Sequence, residues 1–107
     1  MVDVTVIILT KNEELHLGRC LERLRALEPR RVVVVDSEST DATAEIARRE
    51  GAEVVVHPWP GNQAAQFNWA LDALDLRSEW VLRLDADEYL SPELTEEIRT
   101  KLPEMPA

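Results

Sequence analysis

The residues in this sequence best suited to chemistry are carboxylates that follow apolar runs. Asp85-Ala86-Asp87 comes directly after the run 80–84, Asp36-Ser37 after 32–35, and Thr10-Lys11-Asn12-Glu13 after 4–9. In a parallel α/β sheet, ligands sit beyond the carboxyl ends of the strands. If the three runs are neighbouring strands, at least three carboxylates meet at one edge. Carboxylates grouped in this way repel one another, and a cation or a hydrogen-bond donor on a ligand relieves the repulsion. Oxygen ligands in low number suit magnesium or manganese, completed by water and substrate phosphates. The chemistry pointed to is a metal-bridged diphosphate. An Asp-x-Asp alone is a weak signal. Its position directly after an apolar strand, with two matching polar strand ends upstream, makes it stronger.

Structural roles compete with these readings. Asp41 stands at a helix start and reads as a cap. Asp36, Asp85 and Asp87 read as site residues rather than caps. Cys20 falls on an apolar helix face and reads as core. Trp59 and Trp69 could stack on a base or sugar, but packing and loop anchoring are the stronger expectation. His16 is expected on the surface. His57 lies near the mouth of the site, and a phosphate contact is the weaker reading for it. The two histidines have no zinc-site spacing. The glycines, Gly18, Gly51 and Gly61, form no phosphate-binding fingerprint of the Walker or dinucleotide kind.

The elements that must position these residues alternate regularly. Residues 4–9 are β-branched and apolar, as in a strand buried on both faces. Thr10 and Glu13 have the spacing of a capping box. Leu17, Cys20, Leu21, Leu24 and Leu27 then form one apolar helical face, and Pro29 ends that helix. Residues 32–35 form a second strand. A helix over 41–50 follows, with Gly51 as its stop. Residues 53–56 form a third strand, and His57-Pro58-Trp59-Pro60-Gly61 a loop. Asn62 caps a third helix that presents Ala64, Phe67, Leu71 and Leu74. Residues 80–84 form a fourth strand. Ser91-Pro92 opens a last helix, with Leu94, Ile98 and Leu102 inward. This order argues for a parallel sheet with right-handed crossovers.

Composition narrows the partners. The chain has 107 residues, enough for one domain. Its net charge of -9, from 21 acidic and 12 basic residues, disfavours nucleic acid and anionic membrane surfaces. One cysteine permits no internal disulfide. The apolar run 4–9 follows Asp3 and is too short for a secretory signal. No stretch approaches the roughly 20 apolar residues that span a bilayer.

Three segments carry a resemblance. Val6-Ile7-Ile8-Leu9-Thr10-Lys11-Asn12-Glu13-Glu14, Val33-Val34-Val35-Asp36-Ser37-Glu38-Ser39-Thr40-Asp41-Ala42-Thr43 and Leu82-Arg83-Leu84-Asp85-Ala86-Asp87-Glu88 resemble family 2 glycosyltransferases in order and spacing. The likeness is to the bacterial branch that builds lipopolysaccharide core, capsule and other surface polysaccharide. The resemblance implies an α/β fold: the Rossmann-like nucleotide-binding half of a GT-A enzyme, with a mainly parallel four-stranded sheet flanked by helices. Residues 1–107 would be a single, truncated nucleotide-sugar-binding domain. Leu9, Thr10 and Lys11 would line the base and ribose pocket, with Glu13 close by. Asp36 would accept a hydrogen bond from the base, usually uracil. Asp85 would lie near ribose and metal, Ala86 beside it, and Asp87 would coordinate the divalent cation. The implied reaction is transfer of a sugar from a nucleoside-diphosphate donor, UDP-linked by family expectation, to an acceptor hydroxyl with inversion.

Two departures from the family stand out. Relatives carry a basic residue before an asparagine in the third helix; here that pair is Phe67-Asn68, with Gln63 and Gln66 nearby. The family also places its acceptor site and acidic general base well beyond Asp87, so no catalytic base is assigned here and this chain alone is expected to be inactive. The expected partners are a nucleotide-sugar donor and a glycan or lipid-linked acceptor, with no nucleic acid. Peripheral association with the inner face of the cell membrane, in the cytoplasm, would run through the acceptor half. A shortened sheet would give marginal stability or self-association. The alternative function is a non-catalytic nucleotide or nucleotide-sugar binding module. A phosphoacceptor domain fits poorly: a dehalogenase-like phosphatase wants its Asp-x-Asp on the first strand, and a receiver needs a later strand ending in lysine.

Overall fold

The computed structural model describes residues 1–104. Four strands, β1 (Val2–Thr10), β2 (Pro29–Asp36), β3 (Glu53–Val56) and β4 (Trp80–Asp85), alternate with α1 (Leu17–Leu24), α2 (Thr43–Arg49), α3 (Gln63–Ala73) and α4 (Pro92–Lys101). The sheet is wholly parallel, in the order β3-β2-β1-β4. This is the expected α/β architecture with a four-stranded parallel sheet. The chain moves outward from β1 to β3, then crosses back to place β4 on the other side of β1.

That reversal distributes the helices. The pleat of β1 sends Val4, Val6 and Ile8 to one face, where they meet Leu17, Cys20, Leu21 and Leu24 of α1 and Ala47 of α2. Ile98 of α4 packs on the same side. Ile7 and Leu9 point to the other face, against Phe67, Trp69 and Ala70 of α3. With both faces covered, the central strands are apolar on both sides, as parallel sheets require. Ile7, Ile8, Val33 and Val34 are fully buried.

Helix ends follow local chemistry, with exceptions. Gly51 adopts φ +88°, and the N–H groups of Gly51 and Ala52 donate to the carbonyls of Arg48 and Ala47. This is the paired closure that a left-handed glycine allows. Asn62 Oδ1 accepts from the N–H of Ala65 at 2.7 Å, and Ser91 Oγ from that of Leu94 at 3.1 Å.

Three expectations are corrected. Thr10 and Glu13 form no capping box: Thr10 ends β1, and α1 begins only at Leu17. On α3 the buried residues are Gln66 and Ala70, while Ala64 and Leu71 are exposed. The polar contacts of Gln66, described below, set that rotation. On α4, Thr95 is buried and Leu94 is 44% exposed, so the inner face is Thr95, Ile98 and Leu102. Capping Leu94's N–H by Ser91 fixes the helix start, and Leu94 then falls outside.

Candidate functional site at the carboxyl edge of the sheet

Register decides which strand ends meet. Thr10 pairs with Asp36, Leu9 with Asp85, and Asp36 with Val56. The residues singled out on β1, β2 and β4 therefore stand at one level of one edge, beside β1, where the strand order reverses. Such a reversal is the usual ligand crevice of an open α/β sheet.

Asp36 is 2% exposed, and its carboxylate is already engaged. Oδ1 accepts from Thr10 Oγ at 2.7 Å and from Ser39 Oγ at 2.5 Å. Oδ2 accepts from the Ser39 N–H at 2.9 Å. An ionised carboxylate offers about four acceptor positions, so Oδ2 can take a further donor. Thr10 is buried with Asp36, and Leu9 packs its side chain into the core against α3. Leu9 therefore offers a ligand only its backbone.

The loops after β1 and β2 are laced together. Asn12 takes φ 52° and Glu38 φ 56°, a left-handed conformation that costs most residues energy and that asparagine tolerates better. Asn12 Oδ1 accepts from the Thr40 N–H at 2.9 Å, and the Asn12 N–H donates to Ser39 Oγ at 2.8 Å. Glu13 lends its backbone N–H to Thr43 Oγ at 2.9 Å. Asp41 accepts the N–H of Thr43 at 3.0 Å from one residue before Ala42, which is the N-cap of α2 and makes no side-chain capping bond, so Asp41 braces the turn into α2 without being its cap. Bonding from the Thr43 hydroxyl, first, holds the Asp41 carboxyl below its ordinary value. Lys11 Nζ donates to the carbonyls of Ser37 at 2.9 Å and Glu38 at 3.1 Å, so its charge is tied to the second loop.

A third wall comes from β3 and α3. Gln66 is fully buried, and its Nε2 donates to Ser37 Oγ and to the His57 carbonyl, both at 3.1 Å. A carbonyl can only accept, so the amide orientation is fixed and Gln66 Oε1 faces His57 Nδ1 at 2.7 Å. Nδ1 must then carry a proton. The His57 ring also stacks on Trp69, with centroids 3.8 Å apart. Trp69 thus anchors the loop, as expected, while Trp59 is 48% exposed. From the sequence, Gln66 stands only near the position of a missing basic residue and Ser39 only within a motif, and neither is assigned these contacts. Their signal is weak in one dimension, because both bond to partners brought in by the fold.

At β4 the chain turns through Asp85, Ala86 and Asp87. Glu88 Oε1 accepts the Asp85 N–H at 2.8 Å, and the Glu88 N–H returns to the Asp85 carbonyl at 2.9 Å. Ala86 is 3% exposed and belongs to the core on the α1 side, so its side chain is closed to a ligand. Asp85 is half-buried and Asp87 exposed. Cys20 is core as expected, and burial first, then Glu88 and Asp87, push its thiol up to about 12. Among the described residues, no group of three or more His, Cys, Asp and Glu is placed to hold a metal ion. Asp85 and Asp87 stand two residues apart after β4 and carry oxygen donors of the kind a hard cation takes alongside water and phosphate. A cavity of about 390 Å³ lies elsewhere, between Leu24, Pro29, Val32 and Ala52 at the start of β2. It is unrelated to these carboxylates.

Known proteins resemble this chain in sequence and in fold. An uncharacterized glycosyltransferase of Rickettsia typhi is 42% identical over 98 residues, covering 92% of this chain and 32% of the relative. The lipopolysaccharide core biosynthesis glycosyltransferase LpsC of Rhizobium meliloti is 34% identical over 98 residues, covering 87% of this chain and 34% of LpsC. The chain therefore spans about a third of the length of these relatives. Among solved structures, mannosyl-3-phosphoglycerate synthase from Rubrobacter xylanophilus superposes with a TM-score of 0.77 at 25% identity, over 96% of this chain and 36% of that one. S. aureus TarS superposes with a TM-score of 0.73 at 29% identity, over 97% and 33% respectively. Residues 5–107 match the family described as Glycosyl transferase family 2, and with three strand ends of the expected kind in register at one edge, the chain belongs to that family.

Proposed function

We propose that this chain is the donor-binding domain of an inverting glycosyltransferase that uses a UDP-linked sugar and a divalent cation, and that serves lipopolysaccharide or other surface polysaccharide synthesis. The observation that carries the reading is Asp85 at the end of β4, in register with Leu9, with Asp87 two residues further on and Asp36 on the other side of β1. The likeness to LpsC supports the polysaccharide context. A solved glucosyl-3-phosphoglycerate synthase from Mycobacterium tuberculosis, of like fold with a TM-score of 0.68, was crystallised with Mn2+ and UDP.

In this reading the spare acceptor position of Asp36 takes an N–H of the base, and the backbone of Leu9, Thr10 and Lys11 borders base and ribose, with Glu13 alongside. Asp85 and Asp87 hold the cation, which when bound neutralises charge on the departing nucleoside diphosphate. The acceptor and the general base belong to parts of the enzyme outside residues 1–107, at the inner face of the membrane in the cytoplasm. Calorimetric titration of UDP, with and without Mn2+, tests the site. Metal-dependent binding that Asp87→Ala weakens by about tenfold or more is expected for a lost charged ligand. Absence of UDP binding in the natural chain would overturn the reading.

A further inference from the structure

The site as described is strongly acidic, yet a nucleoside diphosphate brings more negative charge. Asp36, Asp85, Asp87 and Glu88 gather within one edge of a chain of net charge -9. Lys11, the residue just after β1, has its ammonium committed to two carbonyls of the second loop. α3 offers the edge Gln63, Gln66, Phe67 and Asn68, and no cation.

β4 supplies one. Arg83 pairs across the sheet with Ile7, and Asp85 with Leu9. Ile7 and Leu9 both face the α3 side, so Arg83 and Asp85 follow each other on that face, about 6.6 Å apart along the strand. The Arg83 guanidinium rises beside the first turn of α3. Its Nη2 donates to Gln63 Oε1 at 3.1 Å, and its carbon lies 5.8 Å from the centre of the Phe67 ring. The side chain is exposed and forms no ion pair among the described residues. One hydrogen bond and one ring face hold the guanidinium in place and leave most of its five donors free. A planar fork of donors suits phosphate oxygens better than a point charge does.

We propose that Arg83 binds the diphosphate of the donor, supplying from β4 the cationic contact that α3 lacks. This rests on the nucleoside-diphosphate reading above. Gln63 and Phe67 orient the guanidinium, and Asp85, one step further along the same face, marks where the diphosphate comes to rest.

The test compares UDP and UMP binding, with Mn2+ present, in the natural chain, Arg83→Gln, Arg83→Lys and Asp87→Ala, with Arg23→Gln as a control. Arg23 belongs to α1, which covers the face of the sheet opposite to Arg83, and lies over the Tyr89 ring. Arg83→Gln is expected to weaken UDP by about tenfold or more, because a charge-assisted pair of hydrogen bonds is lost. The loss for UMP should be smaller, Arg83→Lys should recover part of the affinity, and Arg23→Gln should match the natural chain. The melting temperature of Arg83→Gln should stay unchanged. UDP affinity in Arg83→Gln within twofold of the natural chain, while Asp87→Ala loses binding, would overturn the Arg83 assignment and leave the donor site standing. Equal losses for UDP and UMP together with a lowered melting temperature would make Arg83 structural and overturn the assignment too. Failure of the natural chain to bind UDP would overturn both.

Discussion

Asp36, proposed above to meet the base, is already a structural side chain. Its carboxylate ties the end of β1 to the start of the second loop through Thr10 and Ser39, at 2% exposure. Asp36→Ala would leave the Thr10 hydroxyl and the Ser39 N–H without their acceptor. The expected cost is about 1–3 kcal/mol of stability, the range for orphaned buried donors, read by urea denaturation without ligand. A loss well under that range would mean that water replaces the carboxylate. Titration offers a second residue-scale prediction. Glu53 is held below its ordinary value of 4.5 by its hydrogen bonds with Arg31, and Glu28 by its one hydrogen bond with Arg99. A lowered folded value means that the stabilisation is present above pH 4.5 and is lost as pH falls through the folded values. Melting temperature should therefore drop on acidification below about pH 4.5, and Glu53→Gln should flatten part of that slope. A slope unchanged by Glu53→Gln would count against the pair's contribution.

At the scale of elements, α3 carries the greatest departure from a simple amphipathic helix. Its buried stripe includes Gln66, whose amide reaches Ser37 after β2 and His57 after β3. The helix is thereby pinned to the site by polar contacts as much as by Ala70 and Phe67. Gln66→Leu keeps the volume roughly constant but leaves Ser37 Oγ and the His57 carbonyl unpaired. A destabilisation of about 1–3 kcal/mol is expected, together with release of the His57 ring from Trp69. Chemical denaturation measures the first, and histidine ring nitrogen shifts the second, because Nδ1 would no longer be held as the proton-bearing nitrogen. Unchanged shifts would show that stacking alone sets the ring.

For the whole molecule, β4 is the informative element. It closes one side of the sheet, and on the α3 face Val81 is 37% exposed while Arg83 lies open. Parallel strands are normally covered on both faces, and a free strand edge is a template for pairing. The described chain is thus expected to self-associate as its concentration rises, with Val81→Lys reducing the effect. Sedimentation velocity across a concentration series reads this directly. A monomer at every concentration, with a high melting temperature, would contradict it. Among the described residues no helix is long and apolar enough to cross a membrane.

Local chemistry in the sequence determined the strands, the caps at Asn62 and Ser91, the stop at Gly51 and the polar strand ends, because each depends on neighbours a few residues away. It also marked Asp85 and Asp87, since an acidic pair directly after an apolar run has no packing use. The tertiary structure alone decided the register that sets Thr10 against Asp36 and Leu9 against Asp85. It decided that Thr10 bonds Asp36 instead of capping α1, and that Ala86 and Leu9 turn their side chains into the core. It likewise brought Arg83 to Gln63, 20 residues away in sequence. These outcomes depend on the strand order, which places β4 beside β1, and periodicity within a segment carries no information about which segment becomes its neighbour.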